Sequence, residues 1–179
     1  MTPTAPIIIA DINDTDFYPD SVLTSHYDDY KVRIAARGVL THGSNIAILS
    51  VAKNHFHKLP GGGLEVGETP EEAFHREILE ETGCRCHIIS FDGITIEYRH
   101  QFKLIQISYI YFAKAIGKPD TPHFDRGEQA DGFSLIWIPI SNINQVMSTD
   151  NLTDYEAKFI NRRDTAIINH YQPQLHHLS

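Results

Sequence analysis

Apolar and polar residues alternate with the two-residue period of a β-strand in the segment 30–40. A polar turn follows at residues 42–45, and a second apolar run occupies residues 46–51. Two strand-like runs joined by a short turn that contains Gly and Asn are typical of a β-hairpin. The pattern therefore predicts a hairpin in the first third of the chain.

Four more runs that are rich in β-branched and aromatic residues follow downstream, and such runs favour strands. The Asp92-Gly93 pair predicts a turn between the first two runs. A polar loop separates the third run from the fourth. The runs are residues 86–90, 94–98, 104–112 and 133–139, and the loop is residues 117–132.

One strongly marked helix is predicted between the hairpin and these later strands. Thr69 is suited to the N-cap, Pro70 to the first helical position and Glu72 to the third, which together form a capping box. Gly83 stands where a left-handed C-terminal cap is expected. Between them an apolar stripe recurs every four residues, at Phe74, Ile78 and Thr82.

A second amphipathic pattern predicts a C-terminal helix over about residues 151–170, preceded by a short helix from Ser141. Its apolar positions are Leu152, Tyr155, Phe159 and Ile167. Several strands combined with two substantial helices predict an α/β domain with layered packing. We expect this domain to span residues 30–172, after an N-terminal extension or arm at 1–29 and before a C-terminal tail at 173–179.

Composition is that of an ordinary globular domain, with 179 residues, 41% hydrophobic and 21% charged. The formal net charge of -8 argues against a protein that grips a nucleic-acid backbone, which would need a basic face. The apolar run at residues 6–10 is far too short for a membrane span, and no basic segment precedes it. We expect a cytoplasmic protein with neither nucleic-acid nor membrane partners.

Three acidic residues, Glu77, Glu80 and Glu81, lie on neighbouring faces of the first predicted helix. Their like charges repel one another unless a cation lies between them, and Mg²⁺ prefers carboxylate oxygens and substrate phosphates as ligands. The alternative is a solvated acidic surface. The glycine-rich segment 59–63 precedes the helix and allows a close approach of the backbone, so that a carbonyl group there could join the glutamates as a metal ligand.

Arg76 can pair with Glu80 one turn later or with Glu72 one turn earlier, and so hold the acidic cluster in a fixed orientation. The alternative is an ordinary surface ion pair, which contributes at most about 1 kcal/mol. The sequence leaves both interpretations open.

This segment resembles the Nudix box of the MutT-like Nudix hydrolases, G-x5-E-x7-R-E-U-x-E-E-x-G-U, where U is a bulky aliphatic residue. The only departure is Cys84 at the last aliphatic position, and a free cysteine behaves as a small buried hydrophobe. So many specified positions at fixed spacing make a chance match a poor explanation. The matching residues are Gly62, Glu68, Arg76, Glu77, Ile78, Glu80, Glu81, Gly83 and Cys84.

The resemblance implies an α/β/α sandwich with a mixed β-sheet, and hydrolysis of a diphosphate linkage in a nucleoside diphosphate joined to another moiety. It further implies that Mg²⁺ or Mn²⁺ is the cofactor and that Arg76 orients the glutamates. Gly62 and Glu68 would support the loop geometry. The implied metal ligands are Glu77, Glu80 and Glu81, with the carbonyl group of Gly61.

A general base is also needed, and two sources remain open: Glu77 within the box, or Glu128 in the loop before the last strand. Glu128 could equally be a solvated loop residue. Glu97, in a predicted strand, is a weaker candidate.

The substrate is less clearly indicated. A nucleoside triphosphate such as 8-oxo-dGTP is the first prediction, and ADP-ribose, a dinucleoside polyphosphate or a nucleotide sugar are alternatives. Tyr98, Tyr109, Tyr111 and Phe112 could stack on a base or belong to the core. A non-catalytic nucleotide sensor with the same fold is the alternative of another class, although the complete set of glutamates favours hydrolysis. A homodimer is possible.

Overall fold

The structure is a computed structural model that describes residues 6–21 and 26–178. Its strands and helices alternate along the chain in the manner of an α/β domain. The strands are Ile7–Asn13 (β1), Lys31–His42 (β2), Asn45–Val51 (β3), Phe56–Lys58 (β4), Gly61–Gly63 (β5), Arg85–Arg99 (β6), Leu104–Ile116 (β7) and Phe133–Pro139 (β8). The helices are Pro70–Thr82 (α1), Arg126–Ala130 (α2), Ile143–Ser148 (α3), Tyr155–His170 (α4) and Gln172–His176 (α5).

The described strands form one mixed sheet in the order β1-β6-β7-β2-β3-β4, in which β5 also pairs with β2 and β8 with β3. The pairs β1 with β6 and β2 with β7 are parallel, whereas the remaining pairs are antiparallel. The hairpin predicted at residues 30–51 is present as β2 and β3, which turn at His42 and Asn45.

Helices cover both faces of the sheet, so the predicted α/β class with a mixed sheet is confirmed. Helix α1 buries Phe74 and Ile78 against one face, in a cluster with Leu40 of β2. Helices α3, α4 and α5 cover the opposite face, where Val39 packs in a cluster that includes Ile167. Val39 and Leu40 point to opposite faces because side chains alternate along a strand.

The turn predicted at Asp92-Gly93 is wrong. Residues 85–99 form the single strand β6, in which the pairing register to β7 shifts twice, the second time between Phe91 and Gly93. A Cβ atom on Gly93 would lie 2.2 Å from the backbone oxygen of Ile7 in the adjacent strand β1. Glycine is needed here because the backbone of β1 approaches closely. A close approach of another backbone is a common reason for a glycine within a strand.

Part of the predicted N-terminal extension belongs to the sheet. Strand β1 pairs in parallel with β6, and the residues after it pack on α4. The ring of Phe17 lies 4.9 Å from that of Phe159, and Asp14 accepts a hydrogen bond of 2.6 Å from the hydroxyl group of Tyr155. Residues 1–5 and 22–25 of the extension lie outside the described residues. The domain bounds themselves stay a prediction.

The C-terminal end is likewise more ordered than a tail. Helix α5 begins at Gln172, the last residue of the predicted domain, and extends into the predicted tail, where Leu175 is completely buried. Helix α4 begins at Tyr155 rather than near residue 151, because Asp154 caps its N-terminus through the backbone N–H of Ala157. No helix of the described part of the chain combines the length and the apolar character that a bilayer crossing requires. The cytoplasmic location and the homodimer stay predictions.

Candidate active site

Helix α1 has the predicted bounds, and its caps fix its orientation. The hydroxyl group of Thr69 accepts a hydrogen bond from the backbone N–H of Glu72, and the carboxylate of Glu72 accepts one from the backbone N–H of Thr69. Gly83 ends the helix in the left-handed region at φ 66°. A helix that is fixed at both ends holds its glutamates at defined positions around the axis.

The three glutamates differ in burial. Glu77 and Glu81 lie on the inner side of α1, with 9% and 1% of their surface exposed, whereas the side chain of Glu80 is 48% exposed. The carboxylate of Glu77 lies against the backbone of Gly62, where an added Cβ atom would be 2.4 Å from its Oε1 atom. The glycine segment of β5 therefore forms the surface on which Glu77 rests.

Arg76 connects this cluster. Its guanidinium group donates to both carboxylate oxygens of Glu68, at 2.7 and 3.0 Å, and to Glu77 at 2.8 Å and Glu80 at 3.0 Å. Of the two partners that the sequence left open, Glu80 is bound and Glu72 is occupied by the capping box. The hydrogen bonds from Arg76 lower the pKa of Glu68 to about 2, so this carboxylate stays charged and holds Arg76 in place.

Glu81 is held from the other side. Its carboxylate accepts a hydrogen bond of 2.6 Å from the backbone N–H of Gly61 and lies 3.1 Å from the ammonium group of Lys58. Burial raises the pKa of Glu81 to about 7, although the charge of Lys58 opposes this shift. The amide of Gly61 is thus the group that contacts a glutamate, and the predicted ligand role of its carbonyl group stays a prediction. The sequence analysis missed Lys58, since a single lysine before a loop carries no signal of its own.

The loop before β8 closes the cleft from the opposite side. It is tied to the end of α1 by two backbone hydrogen bonds, from His123 to the carbonyl group of Glu80 at 2.7 Å and from Asp120 to that of Gly83 at 2.8 Å. Asp125 then caps α2, with Glu128 as the partner in its capping box.

The structure brings Glu128 into the same cleft as Glu77, Glu80 and Glu81. This cleft has a volume of about 500 Å³ and a mostly polar wall. The catalytic role of Glu128 stays a prediction.

A second cavity of about 210 Å³ extends from the glutamates towards α4. Its inner end is a buried polar network between β2, β6, β7 and α4 that the sequence analysis missed. Charged residues at alternate strand positions show only that one face differs from the other, and they do not indicate that this face is buried. The network consists of Arg37, Glu97, Arg99, Gln106, Ser108, Arg163 and Asp164, none of which is more than 4% exposed.

Glu97 is occupied as a counter-ion within this network. It accepts hydrogen bonds from Arg99 at 2.8 Å, Gln106 at 2.9 Å and Arg163 at 3.3 Å, and it is completely buried. Burial alone would raise the pKa of Glu97, but the guanidinium groups of Arg163 and Arg99 hold it below its usual value. These contacts argue against Glu97 as a general base.

None of the four aromatic residues that could stack on a base lines the cleft of about 500 Å³ or the cavity of about 210 Å³. Tyr111 and Phe112 are buried in the two main cores. Tyr109 stacks with Phe91, and Tyr98 packs against Tyr27.

Within the described residues, no three acidic, histidine or cysteine side chains converge closely enough to enclose a metal ion. Instead, Glu77 is bound to Arg76 and Glu81 to Lys58. The chemistry of the donor set nevertheless fits a hard divalent cation, because it offers carboxylate oxygens at the edge of a polar cleft. Burial raises the pKa of Glu77 as well as that of Glu81, and a bound cation would offset the cost of two adjacent buried charges.

The chain is similar to curated proteins over part of its length. The chain is 31% identical over 109 residues to an ADP-ribose pyrophosphatase of Methanocaldococcus jannaschii, a match that covers 59% of this chain and 64% of that protein. It is 40% identical over 65 residues to a MutT-like protein of Streptomyces ambofaciens, covering 36% of this chain and 42% of that protein. The chain thus spans less than two thirds of the length of either relative.

Solved structures show the same fold at low sequence identity. A NUDIX hydrolase from Nitrosomonas europaea matches with a TM-score of 0.56 at 16% identity, over 76% of this chain and 92% of that chain. A NUDIX-family hydrolase from Clostridium perfringens matches with a TM-score of 0.52 at 14% identity, over 78% of this chain and 97% of that chain.

The sequence profile described as the NUDIX domain matches residues 31–162, which is more than half of the chain. This range includes the glycine segment, the caps of α1, the glutamates and Glu128. Nudix hydrolases as a family use divalent metal ions, in agreement with the donor set of the cleft. The profile match and the shared fold establish that this chain belongs to the Nudix family.

Proposed function

We propose that this protein is a metal-dependent pyrophosphohydrolase that cleaves the diphosphate linkage of a nucleoside diphosphate joined to another moiety. The observation that carries the proposal is the set of hydrogen bonds from Arg76, which hold Glu68, Glu77 and Glu80 together at the edge of a polar cleft. A surface ion pair needs no such convergence, because its partners gain little from being fixed.

Each residue of the site would have a distinct role. Glu77, Glu80 and Glu81 would hold Mg²⁺ or Mn²⁺, while Arg76 keeps the first two in position. When bound, the cation would neutralise charge on the phosphate oxygens and acidify the attacking water. Glu128, from across the cleft, or Glu77 would accept the proton of that water.

The substrate stays a prediction among four classes, and a similarity supports one of them. A nucleoside triphosphate such as 8-oxo-dGTP is the substrate that the sequence favours, and its products would be a nucleoside monophosphate and pyrophosphate. ADP-ribose is supported by the name of the relative from Methanocaldococcus jannaschii. Dinucleoside polyphosphates and nucleotide sugars complete the set to be tested.

A nucleotide sensor without catalytic activity is the second candidate class, because fold alone does not determine function. The presence of all three glutamates, with their supporting arginine, favours hydrolysis. A sensor has no need for carboxylates that are held beside a cleft by charged hydrogen bonds.

The test is a screen for released phosphate and nucleotide with Mg²⁺ or Mn²⁺ over the four substrate classes. Glu81→Gln serves as the inactive variant, and Glu71→Gln, on the exposed side of the same helix, serves as the matched control. Turnover that is lost in Glu81→Gln and kept in Glu71→Gln is the expected result. Binding of a nucleotide without turnover would favour the sensor, and equal activity in both variants would refute the metal site.

A further inference from the structure

Arg37 is a buried arginine with an unusual lack of partners. Only 4% of its surface is exposed, and its one hydrogen bond within the described residues runs from Nε to the hydroxyl group of Ser108, at 3.2 Å. No carboxylate oxygen of the described residues lies within 4.0 Å of its guanidinium group, although the charges of Asp164, Glu97 and Glu81 act on it from further away. Burial lowers the pKa of Arg37 to about 10. A buried charge without a counter-ion is costly, so a partner is expected.

The neighbouring buried arginines are paired. Arg99 contacts Glu97 at 2.8 Å and Glu156 at 2.7 Å, and Arg163 contacts Asp164 at 2.7 Å. The chain therefore supplies counter-ions for the other arginines in this region. Arg37 differs because it has no such ion pair within the described residues and borders the cavity of about 210 Å³.

This cavity adjoins the proposed metal site. Arg37 pairs across the sheet with Gly61, and the amide of Gly61 donates to Glu81. Arg163 borders the same cavity, but its Nη2 atom, which has no hydrogen-bond partner, is buried away from solvent. Two guanidinium groups thus border one small space beside the glutamates, and that of Arg37 has unused N–H donors.

We infer that Arg37 forms a subsite for a phosphate group of the substrate in this cavity. Guanidinium groups match the geometry of phosphate oxygens and donate two parallel hydrogen bonds to them. The phosphate supplies the directly bound counter-ion that Arg37 lacks. The identity of the ligand as a substrate phosphate rests on the proposed function, whereas the need for an anion rests on the geometry alone.

The inference also bears on the substrate class. A nucleotide that carries phosphate groups on both sides of the scissile linkage can contact the glutamate cluster and Arg37 at the same time. Arg37 therefore acts as a binding residue for the reacting part of the substrate rather than for its base, because it pairs with Gly61, whose amide contacts Glu81.

The test uses the full chain without metal, in EDTA, titrated with inorganic pyrophosphate in a calorimeter. Arg37→Met keeps the volume of the side chain and removes its charge, and Arg85→Met at the exposed start of β6 is the matched control. We expect the Kd for pyrophosphate to rise by at least about tenfold in Arg37→Met, a loss of about 1.4 kcal/mol, and to stay unchanged in Arg85→Met. Without ligand, Arg37→Met should melt at or above the wild-type temperature, because an unpaired buried charge has been removed.

A Kd within about twofold of the wild-type value in Arg37→Met would overturn the subsite, and so would the absence of pyrophosphate binding by the wild type. If Arg37→Met does not fold, Arg37→Lys decides the question. Lysine keeps the charge but not the paired donors, so a weaker Kd supports the subsite and an unchanged Kd overturns it.

The binding measurement needs neither metal nor turnover, which separates the two proposals. A protein that is inactive in the substrate screen but binds pyrophosphate through Arg37 keeps the subsite and loses the proposed function. An active protein whose pyrophosphate affinity does not depend on Arg37 keeps the function and loses the subsite.

Discussion

Replacement of Gly62 by alanine tests whether the position of Glu77 controls activity. The new Cβ atom would lie 2.4 Å from Oε1 and 2.7 Å from Oε2 of Glu77, where ordinary contact begins at 3.4 Å. The carboxylate must therefore move by about 1 Å. Gly62 has an ordinary negative-φ backbone, so alanine adds no strain of its own, and the displaced atoms are the end of a flexible side chain.

The expected magnitude follows from this displacement. A shift of about 1 Å in a catalytic group lowers the rate by about 100-fold, or about 2.7 kcal/mol in the activation barrier. The hydrogen bond from Arg76 to Glu77, at 2.8 Å, must lengthen or break as well. The fold should survive, because the overlap is with one carboxylate and not with backbone.

The assay is kcat/KM with the best substrate of the screen, for Gly62→Ala, Glu77→Ala and the double variant, with thermal unfolding as the control for folding. If Gly62→Ala acts through Glu77, the double variant should be no slower than Glu77→Ala, because the group that alanine displaces is gone. An unchanged kcat/KM in Gly62→Ala would refute the reasoning. So would a further 100-fold loss in the double variant, since the effect would then not depend on Glu77.

Three other predictions address the site and its supports. In Glu81→Gln, metal-dependent turnover should fall by orders of magnitude while the circular dichroism spectrum stays unchanged, and EDTA should abolish turnover of the wild type until Mg²⁺ or Mn²⁺ is restored. In Glu128→Gln the capping box is kept, because glutamine serves there too. Turnover that falls about 100-fold or more at unchanged Mn²⁺ affinity identifies Glu128 as the base. Unchanged turnover assigns that role to Glu77. Gly83→Ala should destabilise the fold by more than about 1 kcal/mol in urea unfolding. The reason is that residue 83 has a left-handed backbone at φ 66° and that an added Cβ atom would lie 2.0 Å from the carbonyl oxygen of Asp120. An unchanged midpoint would contradict the close contact.

Local patterns predicted some elements well because the physics of those elements is local. Helix α1 depends on a cap at Thr69, a proline at the next position and a glycine after its last turn, all within one stretch of chain. The β2-β3 hairpin depends on a turn between two alternating runs. Each of these interactions joins residues that are close in sequence.

Other elements were misjudged because their cause lies elsewhere in the chain. Gly93 is required by the approach of Ile7, more than eighty residues earlier, and the sequence around it offered a turn as the simpler explanation. Strand β1 was assigned to an extension because its pairing with β6 carries no local signal. The burial of Leu175 in the C-terminal segment depends in the same way on helix packing.

The candidate site likewise contains residues with a local sequence signal and residues without one. One helix carries Arg76, Glu77, Glu80 and Glu81 at fixed spacing, so the sequence alone identified the cluster and its family. Lys58 and Arg37 join the site through the sheet, and neither has a motif of its own. Glu128 was named as one of two alternatives, and it reaches the cleft through a loop tied to the end of α1.

The sequence by itself determined the family, the helix that carries the glutamates and the type of chemistry that they favour, because these depend on residues at fixed short spacings. Only the tertiary structure decided which glutamates are buried, which cations face them and which acid lies across the cleft. Only the tertiary structure places Arg37, a buried arginine without an ion pair among the described residues, beside these glutamates. The reason is physical: burial and the pairing of charges depend on elements that meet across the sheet, and no local pattern records which elements will meet.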